Sequence, residues 1–362
     1  MRGFLSLQVI AVIATSATGS PLTIRNLSDP NYGPVPGESS YYSDYTGRAP
    51  PFPANVTAPI LPSAKGQPGP DDRLFQNLLA AEWAIFSFYQ QGVEVFNASS
   101  FTALGFPNTT YSRLLEIRDT EAGHMRIFQD SISPTSIKPG SCAYDFGFQY
   151  SDDASVATFL ALQTLIEVSS MVFAAGLVRQ AITDETKSAL VGIGETETRH
   201  GIWALIDIWH VDPFAGPIDT VYPYANQILD STNRFIVPGS CPSINPVYPS
   251  PRQNLPQLSS NSTVGVGTPG NMIVFEFVDP ENVPVFKRGC DYYAVFFHGL
   301  ETISVPLDIS KLSSVIPGEL EEKGIILVVL SDKKDAPTQD SVLAGPLFLL
   351  QQPSALQTQF PK

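Results

Sequence analysis

The sequence predicts a mainly α protein that consists of a four-helix bundle followed by a small β-sandwich-like domain. Four long stretches carry apolar residues at the three- and four-residue spacing of one helix face. Near the carboxyl end the pattern changes to short apolar runs that turn residues separate, which is typical of strands. A chain of 362 residues is long enough to hold both parts.

The first two predicted helices each carry a glutamate on the apolar face. The first covers residues 71–96 and places Glu82 within its apolar stripe. The second covers residues 111–132 and places Glu121 and His124 on one line with its apolar residues. The apolar positions that define these two faces are Phe75, Leu78, Ile85, Val93, Leu114, Ile117, Phe128 and Ile132. Both acids are therefore expected to point into the core.

The third and fourth predicted helices repeat this design. Residues 153–181 carry Glu167 in register with the apolar face, and residues 186–209 carry Glu197 and His200 in register with theirs. The defining apolar positions are Val156, Leu160, Ala174, Leu177, Leu190, Ile193, Ala204 and Ile208. All four helices thus direct an acid inward, and two of them add a histidine.

Two Glu-x-x-His pairs and two further core-facing glutamates predict a two-metal site. Each pair places two side chains about one turn apart, so both can reach one metal or bridge to a second. One such pair alone is more often a solvated helix face or a core histidine. Four buried carboxylates would repel one another, whereas two divalent cations balance their charge and the imidazoles bind neutral.

The ligand order and the runs "RDTEAGHMRIF" and "ETETRHGIWAL" resemble the ferritin-like superfamily, in particular the di-iron sites of bacterioferritin and rubrerythrin. The resemblance covers roughly residues 71–210 and implies a role for each ligand. Glu121 and Glu197 would bridge the metals, Glu82 and Glu167 would each cap one metal, and His124 and His200 would bind one metal apiece. It also implies a long crossover between helices 2 and 3. Residues 133–152 are long enough for it, at about 3.3 Å per extended residue.

The rest of the chain divides by composition. Residues 20–70 are rich in Pro, Ser and Tyr and predict an extended arm, and residues 211–270 predict a Pro-rich linker or wrapping segment. Residues 271–352 predict the β-sandwich-like domain, and residues 353–362 form a tail.

The amino-terminal residues predict export. Residues 1–19 combine an early Arg2, an apolar run and small residues, as a cleavable signal peptide does, and the run is short for the alternative of a membrane anchor. N-x-S/T acceptors fit a secreted glycoprotein; they are Asn26, Asn55, Asn97, Asn108 and Asn261. We expect an extracellular or cell-wall protein without a membrane span after signal cleavage. Within the superfamily, these features resemble the secreted fungal ferritin-like proteins associated with stress, which are related to plant desiccation-related proteins.

Three cysteines predict one disulfide and one free or intermolecular thiol in an oxidising compartment. Cys142 and Cys241 each follow Pro-Gly-Ser, so they are the predicted pair, and pairings with Cys290 are alternatives. A net charge of −14 argues against nucleic acid or an anionic membrane surface as a partner.

The site predicts an oxidoreductase that uses two iron or manganese ions and acts on dioxygen or peroxide, with ferroxidase-like or catalase-like activity. The alternatives are an extracellular metal-binding protein and a structural, stress-protective protein, both without turnover. Tyr89, on the face of Glu82, is predicted to donate a hydrogen bond or an electron near the metals, or else to be an ordinary core tyrosine. An oligomer is compatible with the sequence. A 24-subunit storage shell is disfavoured, because the glycosylation sites and the β domain would have to fit around every subunit contact.

Overall fold

The computed structural model describes residues 57–148, 153–214, 219–247, 254–260 and 267–351. The predicted signal peptide, most of the predicted arm and the tail lie outside the described residues, as do the acceptors Asn26, Asn55 and Asn261. Asn97 and Asn108 are described and both are exposed. Their glycosylation stays a prediction.

Four long helices form the first part of the structure. They are α1 (Asp72–Val95), α2 (Thr110–Ser131), α3 (Asp153–Leu177) and α4 (Asp184–Trp203). A π-helical turn, Ala204–Ile208, continues α4, and a short helix, Ala98–Thr102, lies between α1 and α2. The third helix ends at Leu177, four residues before the predicted end, where the backbone N–H groups of Gln180 and Ala181 both donate to the Leu177 carbonyl and close a turn.

The start of α4 is fixed by short-range capping and by contact with α1. Thr183 precedes the helix with extended backbone, and its hydroxyl oxygen accepts a hydrogen bond from the Thr186 N–H at 3.2 Å. The carboxylate of Asp71 accepts hydrogen bonds from the backbone N–H groups of Ile182 and Thr183 at 2.8 and 3.0 Å. The amino-terminal ends of α1 and α4 are therefore held together.

α1 packs mainly on α2, and α3 packs mainly on α4. Among the described residues, one helical segment, Ser155–Leu177, is long and apolar enough to cross a membrane, and 78% of that window is buried inside the structure. Neighbouring helices, the segment after α4 and the sheet cover α3. This burial is the packing of a core helix, and it explains why α3 is apolar on most of its surface.

The C-terminal part contains two antiparallel sheets. Three strands in the order β1-β2-β5 form one sheet, and four strands in the order β4-β3-β6-β7 form the other. The strands are β1 (Leu258–Ser260), β2 (Met272–Phe277), β3 (Tyr293–His298), β4 (Glu301–Pro306), β5 (Ser313–Val315), β6 (Ile325–Ser331) and β7 (Val342–Leu350). β1 lies inside the segment predicted as a linker, because its pairing partner β2 is distant in the sequence and three residues carry no strand period of their own.

Within the four-stranded sheet, β6 is buried on both faces, which accounts for its uninterrupted apolar run. Leu327 and Val329 pack into the same core as the helices, whereas Ile326 and Val328 pack against the other sheet. Alternate residues of a strand point to opposite faces, so a strand with two covered faces is apolar throughout. The sheet and the helices consequently share one continuous core.

The Pro-rich segment after α4 wraps the helices and enters this core. It forms 3-10 turns at Ala225–Gln227 and Asn233–Phe235 and a short helix at Ile228–Thr232. Tyr222 and Phe235 are buried within it. A disulfide between Cys142 and Cys241 ties the segment to the connection that follows α2, and Cys290 is free and exposed. The predicted pairing is confirmed.

Gly92 lies at a close contact between α1 and α3. A Cβ atom at Gly92 would lie 2.2 Å from the nearest ring carbon of Phe159. Phe159 is fully buried and stacks on Phe88 with ring centroids 4.8 Å apart, so its ring has little room to move. We expect Gly92→Ala to lower the free energy of unfolding by about 1–3 kcal/mol.

The matched control is Gly192→Ala on the exposed face of α4, where nothing lies within 4 Å of an added Cβ. This variant should raise the free energy of unfolding by about 0.5–1 kcal/mol, because alanine favours a helix interior more than glycine does. Chemical denaturation of both variants measures the difference. A Gly92→Ala variant as stable as Gly192→Ala would contradict the packing described here.

Candidate metal centre

The structure brings together all six side chains that the sequence singled out as ligands. α1 contributes one, α2 and α4 contribute an acid and a histidine each, and α3 contributes one. None of the six residues is more than 8% exposed; they are Glu82, Glu121, His124, Glu167, Glu197 and His200. The helical period places each of them on the buried face, as the apolar pattern predicted.

Carboxylate oxygens surround each imidazole. The Nδ1 atom of His124 lies 2.9 Å from Glu121 Oε2, 3.2 Å from Glu197 Oε1 and 3.5 Å from Glu82 Oε1. The Nδ1 atom of His200 lies 3.0 Å from Glu121 Oε1, 3.2 Å from Glu167 Oε2 and 3.9 Å from Glu197 Oε2. The two histidines therefore have parallel surroundings.

The cluster has two halves, one around His124 and one around His200, and two of the four glutamates belong to both. Glu121 and Glu197 each turn one oxygen toward His124 and the other toward His200. Two overlapping groups of four ligand atoms result, and within each group all atoms lie within 4.8 Å of one another. The groups share Glu121 and Glu197, and each group is close enough to hold a metal ion.

Residues 70–206 match the family model of the ferritin-like domain. The match covers α1–α4 and all six predicted ligands, and it ends before the strands. It supports the placement of this region in the ferritin-like superfamily. Among curated proteins, none matches the chain.

The electrostatics of the ferritin-like domain show how strongly its buried acids act on one another. Burial raises the pKa of Glu82 and Glu197 well above the usual range, and the charge of Glu121 raises both further. Burial alone would also raise the pKa of Glu121, but the neighbouring His124 and His200 outweigh it and lower that pKa. The shifts of these three carboxyls therefore differ in direction although the groups are chemically the same.

The surrounding carboxylates raise the pKa values of the two histidines. Burial lowers the pKa of an imidazole, but here the surrounding carboxylates outweigh it. They raise the pKa of His124 well above its usual value and that of His200 to about 11. The acids alone would hold both rings as cations. A metal ligand is a neutral imidazole, so metal binding has to displace these protons.

The donor set fits a pair of divalent cations. Three buried carboxylate oxygens of the cluster accept no hydrogen bond: Glu82 Oε1, Glu121 Oε1 and Glu197 Oε2. A buried carboxylate oxygen without a partner is costly, and coordination to a cation removes that cost. Four carboxylates balance the charge of two divalent ions, and mixed oxygen and imidazole ligands suit iron and manganese.

Tyr89 contacts the cluster through Glu167. Its hydroxyl donates a hydrogen bond to Glu167 Oε1, and the residue is fully buried. Burial raises the pKa of the phenol well above 10, and the charge of Glu167 raises it further, so the hydroxyl stays a donor. Tyr89 is therefore a positioning residue for the Glu167 carboxylate. Its predicted catalytic role stays a prediction.

Loss of this donor should weaken metal binding in the half that contains Glu167. We expect Tyr89→Phe to lower metal affinity by about 10–100-fold, as is typical when the hydrogen-bond partner of a ligand is removed. Tyr111→Phe is the matched control, because its buried hydroxyl donates to the Val93 carbonyl at 3.2 Å, outside the cluster. Competition with a metal-sensitive dye measures both affinities. Equal affinities in the two variants would contradict the positioning role.

The two remaining histidines lie outside the cluster. His210 is exposed near the end of the π-helical turn, with its Nδ1 atom 3.2 Å from the Ile206 carbonyl. His298 is buried in β3, and its Nδ1 atom lies 2.8 Å from the Ile325 carbonyl. Neither belongs to a group of potential metal ligands within the described ranges.

Two apolar cavities reach the cluster from different sides. One touches Glu82 and Glu197 and is lined by aromatic residues that include Phe128 and Phe173. The other touches Glu167 and Glu197 and lies against the C-terminal sheet. The sequence pattern predicted the cluster of six side chains but neither cavity, because both cavities depend on residues brought together from distant parts of the chain.

Proposed function

We propose that the ferritin-like domain is a four-helix bundle of the di-metal carboxylate type, which binds two iron or two manganese ions and acts as an oxidoreductase on dioxygen or peroxide. The observation that carries the proposal is the position of Glu121 and Glu197, each of which faces both His124 and His200. Separate buried ion pairs do not require two acids that are shared between both histidines. Two adjacent metal ions are typically bridged by such shared carboxylates.

Each residue of the cluster has a defined task in this proposal. Glu121 and Glu197 would bridge the metals, and Glu82 and His124 would complete one position. Glu167 and His200 would complete the other, with Tyr89 holding the Glu167 carboxylate in place. The apolar surroundings exclude water and strengthen these charge interactions.

The bound metals would supply two-electron chemistry without an organic cofactor. The described residues contribute the ligands, the charge balance and a protonated phenol beside one ligand. The buried position of all six ligands restricts the reacting molecule to one small enough to enter an apolar cavity. Dioxygen and hydrogen peroxide both meet this condition.

We also propose that the protein works outside the cell. The Cys142–Cys241 disulfide is compatible with an oxidising compartment, in which such bonds form and persist. The exposed acceptors Asn97 and Asn108 are accessible for glycosylation. Mass spectrometry of the mature secreted chain tests this part: loss of residues near 1–19 and glycan at either asparagine are expected, and an intact amino terminus would contradict it.

The activity is tested by loading the purified protein without oxygen. The iron-loaded form should consume dioxygen, or the manganese-loaded form should release dioxygen from hydrogen peroxide, with two peroxide molecules giving one dioxygen and two water molecules. Glu121→Gln should remove the activity, and Glu195→Gln, which changes an exposed acid of α4, should retain it. Two bound metals without turnover in either assay would instead support the metal-binding or structural alternative.

A further inference from the structure

A pocket beside the metal centre connects the ferritin-like domain to the C-terminal sheet. Glu167 and Glu197 line it on the side of the centre. Most of its remaining lining is apolar, with α3, α4 and the sheet all contributing; examples are Val168, Met171, Ile202, Leu205, Ile325 and Leu350. The pocket thus places an apolar surface next to two predicted ligands.

The wall that the sheet contributes is held in a fixed position. Ile325 begins β6 and pairs with Leu350 at the end of β7. The Ile325 carbonyl lies 2.8 Å from His298 Nδ1 and accepts a hydrogen bond from the Thr220 hydroxyl at 2.9 Å. Because the backbone of Ile325 is anchored in this way, the pocket is a preformed part of the fold.

Gly201 leaves space beside Glu167. It directly follows His200 within α4 and lines the pocket. A Cβ atom at Gly201 would have Glu167 Cβ, at 3.9 Å, as its nearest neighbour, so packing does not require a glycine. Glycine costs about 1 kcal/mol relative to alanine in a helix interior. With glycine at this position, no side chain from residue 201 covers Glu167 on the side of the pocket.

The charge of the lining restricts the ligand. Among the described residues, the ionisable ones that line the pocket are all acidic: Glu167, Glu197 and the exposed Asp212. An anion that entered would find no basic side chain among them to offset the loss of its hydration. An uncharged molecule would gain from burial of its apolar surface without this cost.

We infer that the pocket binds an uncharged, largely apolar organic molecule, alkyl or aryl in character, and holds it against the half of the centre formed by Glu167 and His200. The inference builds on the proposed function, because it names the class of organic substrate that the metal centre would meet. It also assigns a role to the C-terminal sheet, which forms the wall opposite α3 and α4.

Toluene and benzoate are suitable probes, since they share a ring and differ in charge. Saturation-transfer NMR on the metal-free protein should show binding of toluene and not of benzoate. In protein loaded with Mn²⁺, the paramagnetic ion should broaden the signals of bound toluene, which places the ligand at the centre. Toluene binding without manganese binding would contradict the proposed function but support the inference about the pocket. Manganese binding without toluene binding would contradict only the inference about the pocket.

Two substitutions in α4 localise the site. Gly201→Leu should weaken toluene binding at least about tenfold, because its side chain fills the pocket. Gly201→Ala adds a single methyl group without a clash and should have a smaller effect of the same sign. Gly192→Leu, on the exposed face of the same helix, should leave binding unchanged. Equal binding of benzoate and toluene, or undiminished toluene binding in a folded Gly201→Leu variant, would overturn the inference.

Discussion

Removal of the metals is expected to lower the melting temperature of the protein by about 6–16 °C. A ligand present at 100–1,000 times its dissociation constant stabilises the folded state by about 3–4 kcal/mol, and each kcal/mol corresponds to about 2–4 °C in a chain of this size. Metal removal also leaves three buried carboxylate oxygens that form no hydrogen bond, although an imidazole nitrogen lies 3.0–3.9 Å from each of them: Glu82 Oε1, Glu121 Oε1 and Glu197 Oε2. Calorimetry of loaded and chelated protein measures the shift.

The control for this experiment is a protein that has lost the shared ligand. Glu121→Gln should melt at the same temperature with and without chelator, because it has little metal to lose. A general effect of the chelator would instead shift this variant and the parent equally. Equal melting temperatures for loaded and chelated parent protein would show that the cluster stabilises the fold without metals.

The second large expected effect is that of Glu197→Gln on the free energy of unfolding, which should have opposite signs with and without metal. Glu197→Gln should destabilise the metal-loaded protein and stabilise the metal-free protein. In the loaded form the variant loses a shared ligand, and a loss on the order of 3–5 kcal/mol is expected, as for a broken buried charge pair. In the metal-free form the variant removes a buried acid. The pKa of this acid is raised well above the usual range by burial and by the charge of Glu121.

The pH dependence follows from the direction of that pKa shift. A carboxyl whose pKa is higher in the folded than in the unfolded protein destabilises the fold once the pH exceeds its unfolded value of about 4.3. Metal-free protein should therefore gain more from Glu197→Gln at pH 7 than at pH 4. Denaturant titrations at both pH values measure this difference.

Glu195→Gln provides the comparison for the stability measurements. It lies two residues from Glu197 on the exposed side of α4, and its effect should stay within about 0.5 kcal/mol in both forms. If Glu197→Gln changed stability in the same direction with and without metal, the account of the cluster as a charge-balanced metal site would be wrong.

The clustering of the six side chains could be predicted from the sequence because its signal is local. Glu121 and His124 are one helical turn apart, as are Glu197 and His200, and the apolar period around each pair shows which face is buried. The same period located Glu82 and Glu167. The pairing of Cys142 with Cys241 was also predictable, since each follows the same Pro-Gly-Ser motif.

The features that the sequence did not predict depend on contacts between distant residues. β1 has three residues and becomes a strand through its pairing with β2. Gly201 has no distinctive local pattern, and its meaning comes from the space beside Glu167 and from the sheet across the pocket. Ile325 forms that wall because Thr220, about a hundred residues earlier, binds its carbonyl. No periodicity within a short window contains this information.

The presence of a two-metal centre is tested by the metal content of the natively purified protein, measured by elemental mass spectrometry beside a variant that combines His124→Ala and His200→Ala. About two iron or manganese ions per chain are expected in the parent, and their loss is expected in the variant. His210→Asn serves as a control, because asparagine tolerates the positive φ of 53° at this exposed position. A folded parent protein without redox metal would contradict the claim.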